Sequence, residues 1–312
     1  MAKILITGIA GFIGSNLADY LIRLGHEVIG LDDLSQGLRE HIPSAARFYH
    51  SDITDRFIYQ YFEGVDYVFH LAAKNCIRDC QLDPVATVRQ NVLGMVNVLD
   101  AARRTGVSKL IYAESAALYE GSTVYPTPES ENKPHSFYAL SKCADRMFVE
   151  GYREFYGLRT TALRYFCVYG PRQDYRRTIP PLMSAMALKM LRGEAPVIYG
   201  DGSKRRDFVY VDDVNRFHLQ CLTDARTDDQ VYNLGSGKSH SVREIYTALE
   251  AQLHTGIKPQ FAADLPGEAQ TTWADISAAR ALGWRPEISL EEGLRRVIAY
   301  LRTHVIAAEA RP

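Results

Sequence analysis

The tightest constraint on this chain is its opening stretch, ILITGIAGFIGSNL at residues 4–17. The apolar run Ile4-Leu5-Ile6 reads as a buried strand. It breaks at Thr7-Gly8 and resumes as a helix whose apolar face includes Phe12, Ile13 and Leu17. Gly8, Gly11 and Gly14 fall three apart through that turn. A tight turn needs the first, close backbone approach to a pyrophosphate the second, and close helix-on-strand packing the third. The helix then offers unpaired N–H groups and its positive dipole end to phosphates. Glycine also marks ordinary turns, but here a second strand, residues 28–31, follows the helix and leads into Asp32. A carboxylate at that strand end can accept hydrogen bonds from both hydroxyls of an adenosine ribose and would repel a 2′-phosphate. The pattern points to a dinucleotide site that takes NAD rather than NADP.

Composition narrows the class. At 312 residues the chain can hold one large domain or two smaller ones. The hydrophobic share of 46% and the net charge of −1 are those of an ordinary α/β enzyme, with no general attraction to nucleic acid or anionic membrane. The first strand begins at Lys3, which leaves no room for a secretory leader, and no apolar run is long enough to span a bilayer. Five scattered cysteines suggest reduced thiols in the cytoplasm. Cys76 and Cys80 lack the partnering cluster a metal would need, so no metal is expected.

The first half alternates strand and helix. A polar loop follows Asp32, then a short strand ends near His50. Asp52-Ile53 comes next, a pair that can hold an adenine amino group and cover its ring; Thr54 and Asp55 also read as helix caps. Residues 67–71 form another buried strand, closed by small Ala72 and Ala73. A long helix is expected over 84–106, with Val88, Val92, Met95, Val98, Leu99 and Ala102 on its apolar face. Asn91 lies on that helix, where a mid-helix asparagine can be solvated, a satisfied core group, or a side chain that orients the reacting groups from behind. Residues 110–113 make a fifth strand that delivers Ser115 to the carboxyl edge of the sheet, where open parallel sheets bind ligands.

The chemistry centres on Ser115, Tyr138 and Lys142. Tyr and Lys four apart on a helix share one face. An ammonium beside a phenol, joined by a positive nicotinamide ring, stabilises phenolate and suits it to general base work. The serine hydroxyl can bond the same substrate oxygen. With 19 tyrosines in the chain the spacing alone says little; its place after the fifth strand of a dinucleotide fold is the informative part.

At these residues the chain resembles the extended short-chain dehydrogenase/reductases, within the NAD-dependent nucleotide-sugar epimerase/dehydratase family. The resemblance rests on TGIAGFIG (7–14), LDDLSQG (31–37), SDI (51–53), HLAA (70–73), Asn91 with Gly94, SAALY (115–119), YALSK (138–142), RYFCVYGPRQ (164–173) and IYGDGSKRRDFVYVDDV (198–214). It implies a Rossmann doubly wound parallel sheet with a smaller mixed α/β C-terminal substrate domain. The NAD-binding domain would take residues 1–168, with 208–255 partly returning to it, and the sugar-nucleotide domain 169–207 and 256–312. By the same likeness, Gly8, Gly11, Phe12, Ile13, Gly14, Asp32, Asp33, Leu34, Ser35, Gly37, Asp52, Ile53, Leu71, Ala72, Ala73, Asn91, Tyr138, Lys142, Tyr165 and Val168 would hold the cofactor. Lys74, Ser115, Ala116, Ala117, Tyr138, Cys167, Tyr199, Arg206 and Glu268 would face the substrate, with Tyr199 on the nucleobase and Arg206 on the diphosphate. Helices over 84–106 and 138–157 resemble the bundle through which the family forms homodimers.

Ala116 and Ala117 carry no proton, where dehydratases of the family carry an Asp-Glu pair and decarboxylases a Glu. What remains is oxidation and re-reduction at one carbon, and the expected activity is 4-epimerisation of a UDP-hexose or UDP-hexuronic acid. A dehydratase or a keto-sugar reductase of the same family and a non-catalytic NAD sensor stay as alternatives. Three departures bear on the substrate: Cys167 replaces the family asparagine, Leu265-Pro266-Gly267-Glu268 lacks the family arginine, and Lys74, Asn75 and Arg78 stand where small residues are common.

Overall fold

The computed structural model describes residues 1–177, 179–264 and 269–309. Two compact units divide the chain: one of residues 1–123, 129–165 and 215–233, the other of residues 124–128, 166–214 and 234–312.

The first unit is built on a seven-stranded sheet in the order β10-β6-β5-β4-β1-β2-β3. Its strands are β1 (Lys3–Thr7), β2 (Glu27–Asp32), β3 (Arg47–His50), β4 (Tyr67–His70), β5 (Lys109–Ser115), β6 (Thr160–Tyr165) and β10 (Gln230–Leu234). The pairs β1–β2, β1–β4, β2–β3, β4–β5 and β5–β6 are parallel. Ile4, Leu5, Ile6, Val68, Phe69, Leu110 and Ile111 are buried, as continuous apolar strands covered on both faces must be. This is the Rossmann-like doubly wound sheet expected from the alternation of strand and helix.

Helix α1 (Phe12–Arg23) turns Leu17, Ala18 and Leu21 into the core. Beyond β4, α2 (Ile77–Leu82) leads into α3 (Pro84–Thr87), which Asp83 caps by accepting from the Ala86 N–H. The helix expected over 84–106 is present and continuous, with one difference: a π turn at Val88–Leu93 lies between α3 and α4 (Gly94–Thr105), and Val88, expected in the core, is exposed. Asn91 is buried within that turn, on the same face as Met95 and Val98, and its side chain bonds the Lys74 backbone twice and Ser141 Oγ once. Helix α5 (Phe137–Tyr156) starts at the Ser136 cap and stops at Gly157, whose φ of 66° suits a residue without Cβ. Lys109, nearly fully buried on β5, donates to the Cys221 carbonyl and Thr227 Oγ1 and pairs with Asp228, so it pins the returning segment 215–233 under the sheet.

The second unit holds two small sheets, β11-β9-β7 and β12-β8, from β7 (Cys167–Tyr169), β8 (Val197–Tyr199), β9 (Arg205–Tyr210), β11 (Ser239–Ser241) and β12 (Gln260–Ala262). Helices α6 (Leu182–Leu191), α8 (Val242–Leu253), α9 (Ser277–Ala281) and α10 (Leu290–Tyr300) surround them, while α7 (Val211–Thr223) carries the chain across the unit boundary in sequence. Two buried acids organise the connections by capping backbone N–H groups. Asp207 accepts from Ser236, Gly237 and Ala274, and Asp213 from Glu287 and Ile288.

Among the described residues no helix is long and apolar enough to cross a membrane, and no group of three or more His, Cys, Asp or Glu is placed to hold a metal.

Candidate active site

The glycine turn is built as the sequence requires. Gly8 has φ of 76°, and a Cβ there would lie 2.8 Å from the Ala72 backbone nitrogen. A Cβ on Gly14 would collide with the Gly8 carbonyl, and one on Gly11 would lie 3.2 Å from the same oxygen. Thr7 locks the turn to the end of β4. Its Oγ1 accepts from the Leu71 and Ala72 N–H groups and contacts His70 Nδ1 at 2.8 Å. With both lone pairs used, the hydroxyl proton goes to Nδ1, so that nitrogen is bare and the ring neutral. Burial agrees, since it pushes His70 down to about 3, with the nearby Lys142 charge acting in the same direction. Small residues at 72 and 73 keep the backbone open beside Gly8. Phe12 and Ile13 begin α1, whose cap position is Gly11.

Asp32, at the end of β2, is buried. One carboxylate oxygen accepts from the Ala10 N–H at 2.9 Å and the other from Leu34 N–H at 2.8 Å. Burial raises its pKa, and those two backbone N–H groups offset part of the rise. Each oxygen keeps a lone pair for a ribose hydroxyl. Leu34 takes a φ of 58°, an uncommon conformation for a side chain of its size, at the point where the loop passes Asp32. Asp33 Oδ1 holds the Ser35 N–H and hydroxyl, and Gly37 lies so close to Ala10 that a Cβ would sit 2.6 Å from its methyl. Asp52 accepts from the Thr54 N–H, and buried Ile53 packs over Gly94. Glycines that admit no Cβ beside a held carboxylate are the features a dinucleotide needs, and these residues fit NAD.

Ser115 ends β5, and its Oγ accepts from the Ala117 N–H at 3.2 Å. Tyr138 and Lys142 lie on the buried face of α5, in its first two turns. Lys142 is 2% exposed and donates to Asp145 Oδ2 at 3.1 Å. Burial works against its charge, but Asp145 and Tyr138 outweigh it and the lysine pKa is raised. Asn91 reaches this helix through Ser141 Oγ, which itself donates to the Tyr138 carbonyl at 2.7 Å. The same amide holds Lys74 by its backbone. Tyr165 ends β6 with its hydroxyl 2.6 Å from His218 Nε2, so the side chain is committed to that buried, neutral histidine.

Val168, Cys167, Tyr199 and Arg206 belong to the second unit. Val168 is buried and Cys167 half-buried on β7, and Tyr199 is 42% exposed on β8. Arg206, half-buried on β9, donates to the Arg205 carbonyl. Its neighbour Lys204 is buried and pairs with Asp264. Glu268, with Leu265, Pro266 and Gly267, lies outside the described residues.

Two features were not anticipated from sequence. Glu114, next to Ser115, is fully buried and paired with Arg164 at 2.6 Å; Tyr112 donates to it as well. Arg164 also donates to Tyr119 and to the carbonyls of Glu129 and Glu131, which ties the segment after β5 to β6. The second feature is Asp145 beneath Lys142. Its spacing, seven residues after Tyr138 and three after Lys142, was the available signal.

Comparison with known proteins gives a consistent picture. The family model described as "NAD dependent epimerase/dehydratase family" matches residues 4–235. The UDP-glucose 4-epimerase of Mycolicibacterium smegmatis is 34% identical over 310 residues, covering 96% of this chain and 98% of that protein. Among solved structures, the UDP-glucose 4-epimerase of Thermotoga maritima with UDP-glucose matches with a TM-score of 0.93 and 36% identity, covering 96% of this chain and 98% of that one. The UDP-glucuronic acid 4-epimerase of Bacillus cereus, in complex with UDP-glucuronic acid and NAD, matches with a TM-score of 0.89 and 29% identity, covering 96% and 99%.

Proposed function

The chain belongs to the NAD-dependent epimerase/dehydratase family, and on that premise we propose that it is a sugar-nucleotide 4-epimerase whose substrate is a UDP-hexose or UDP-hexuronic acid. The observation that carries this reading is the buried stripe of α5 bearing Tyr138 and Lys142, joined by Asn91 and Ser141 to the segment after β4. Relatives of both substrate types support the two sugar classes.

In this reading Gly8, Gly11 and Gly14 receive the diphosphate of the cofactor, and Asp32 receives its adenosine ribose. NAD, when bound, supplies the reversible hydride acceptor that lets C-4 of the sugar pass through a ketone. Tyr138 takes the proton of the 4-hydroxyl and later returns it. Ser115 Oγ bonds the same oxygen, and Lys142 keeps a positive charge next to the phenol. Ala116 and Ala117 have no proton to move, so the ketone is neither dehydrated nor decarboxylated. Tyr199 lies against the nucleobase and Arg206 meets the diphosphate as a planar fork, while Lys74 and Cys167 face the sugar nucleotide. Residues 1–168, with part of 208–255, form the cofactor domain, and 169–207 with 256–312 the substrate domain.

The protein acts as a cytoplasmic homodimer in carbohydrate biosynthesis. Exposed Leu82, Val85, Met147 and Phe155, on the helices of the first unit, support pairing through those helices. Five free thiols support a reducing compartment. The experiment is a panel of UDP-, dTDP-, GDP- and CDP-linked sugars and their 4-keto forms, incubated with and without added NADH and analysed for C-4 epimers. Interconversion of a UDP-sugar pair with no net consumption of NADH is expected. Turnover only with stoichiometric NADH consumption would make the protein a reductase, and no interconversion on any member would remove the proposal.

A further inference from the structure

A third ionisable side chain shares the buried stripe of α5. Tyr138, Lys142 and Asp145 fall at i, i+4 and i+7, so one helix face presents a phenol, an ammonium and a carboxylate in succession. Asp145 is 0% exposed. One of its oxygens takes the Lys142 ammonium at 3.1 Å, and the other, Oδ1, is buried and accepts no hydrogen bond. A carboxylate in that state is a poor device for stability alone, because an apolar residue in its place would bury no unsatisfied oxygen. Its cost points to a task performed on the lysine.

We propose that Asp145 is a positioning residue that holds Lys142 drawn back along the helix and charged, and thereby sets the pH at which the Tyr138–Lys142 pair gives up its first proton. This rests on Tyr138 acting as the base. Without Asp145 the two remaining groups carry one negative charge fewer around them. Whichever of the two deprotonates first then does so at lower pH, because a nearby negative charge opposes loss of a proton from either.

The other charges around the stripe leave this asymmetry in place. Glu114 on β5 acts on both Lys142 and Asp145, but it is locked into its pair with Arg164 on β6. His70 on β4 is neutral and committed to Thr7. Tyr112 on β5 donates to Glu114, and Arg146, next on α5, pairs with Glu150. Asp145 is therefore the only acid that touches the lysine among the described residues.

The test compares the wild type with Asp145→Asn and Asp145→Glu. In Asp145→Asn the acidic limb of the pH–rate profile moves down by about one pH unit, and Asp145→Glu restores it. A readout independent of turnover is the tyrosinate ultraviolet signal, taken as the difference between each protein and the same protein carrying Tyr138→Phe; its midpoint shifts from the wild-type value, down where Tyr138 deprotonates first and up where Lys142 does. If the protein epimerises no sugar, this titration still decides the matter, so failure of the proposed activity and failure of this inference are separable. An Asp145→Asn profile lowered equally at every pH, with the tyrosinate midpoint unmoved, would overturn it. Should the amide variant not fold, Asp145→Ser takes its place, and loss of folding in both would show that Asp145 is structural.

Discussion

Buried charge is used differently in the two units. In the first, apart from Asp32 with its backbone N–H partners, opposite charges meet each other: Glu114 with Arg164, Asp145 with Lys142, and Asp228 with Lys109, all reaching from regular strands, from α5 or from the returning segment. In the second, apart from buried Lys204 with Asp264, the buried acids Asp207 and Asp213 are spent chiefly on backbone N–H groups, where they tie neighbouring loops together. The residues with prospective ligand roles there, Tyr199 and Arg206, stand partly in solvent on short strands. A side chain held by a buried partner has one geometry and can be aimed at a reacting atom. One on a short exposed strand can accommodate different ligands. In the proposed reading, the chemical step depends on the first unit and the choice of sugar nucleotide on the second.

The largest break in that contrast is Tyr138→Phe. Removing the base should cut kcat by roughly 10²–10⁴-fold with the melting temperature unchanged, and a variant retaining full turnover would end the mechanism. Next comes Glu114→Gln, which strands the Arg164 guanidinium in the core. It should cost about 3–5 kcal/mol, read in chemical denaturation, and a change below about 1 kcal/mol would mean that the pair is solvated.

Acid provides a third, smaller effect confined to the first unit. His70 and His218 are held neutral by burial, both near 3 in the folded protein against 6.5 for an ordinary histidine. The unfolded chain therefore binds more protons between those values. Stability is at its full value above about 6.5 and falls as pH drops, by about 1.4 kcal/mol per pH unit for each histidine. His218→Gln should halve the slope measured between pH 4 and 6, about 2 units, and an unaltered slope would mean another group is responsible. The smallest effect is Arg206→Ala in the second unit. It should raise KM about tenfold with little change in kcat, and a fall in kcat with KM unchanged would place Arg206 in the chemical step instead.

Sequence reading reached far into the first unit because its signals are local. Gly8 and Gly14 are dictated by a turn with no space for Cβ, and Asp32 by the end of a strand that places its carboxylate beside that turn. The helical start at Ser136 and the stop at Gly157 are likewise written in neighbouring residues. The helix expected through 84–106 is present without a break, but its π turn at Val88–Leu93 and the exposure of Val88 were not legible. The partners of Asn91 were not legible either, since Lys74 lies 17 residues earlier and Ser141 50 residues later. Periodicity has no access to such a bond.

The same distinction separates what the amino-acid order determined from what folding decided. The alternation of apolar runs, the glycine spacing and the four-residue step from Tyr138 to Lys142 were enough for the parallel sheet, the tight glycine turn and the shared buried face of Tyr138 and Lys142, since each depends on backbone geometry within a few residues. The partners of the buried charges could not be read in that way. Glu114 finds Arg164 across neighbouring strands, Asn91 bridges two helices, and Asp145 is left with one satisfied oxygen only because the surrounding helices exclude solvent. Desolvation and long-range pairing are properties of the packed molecule, and they hold His70 and His218 neutral and Lys142 charged.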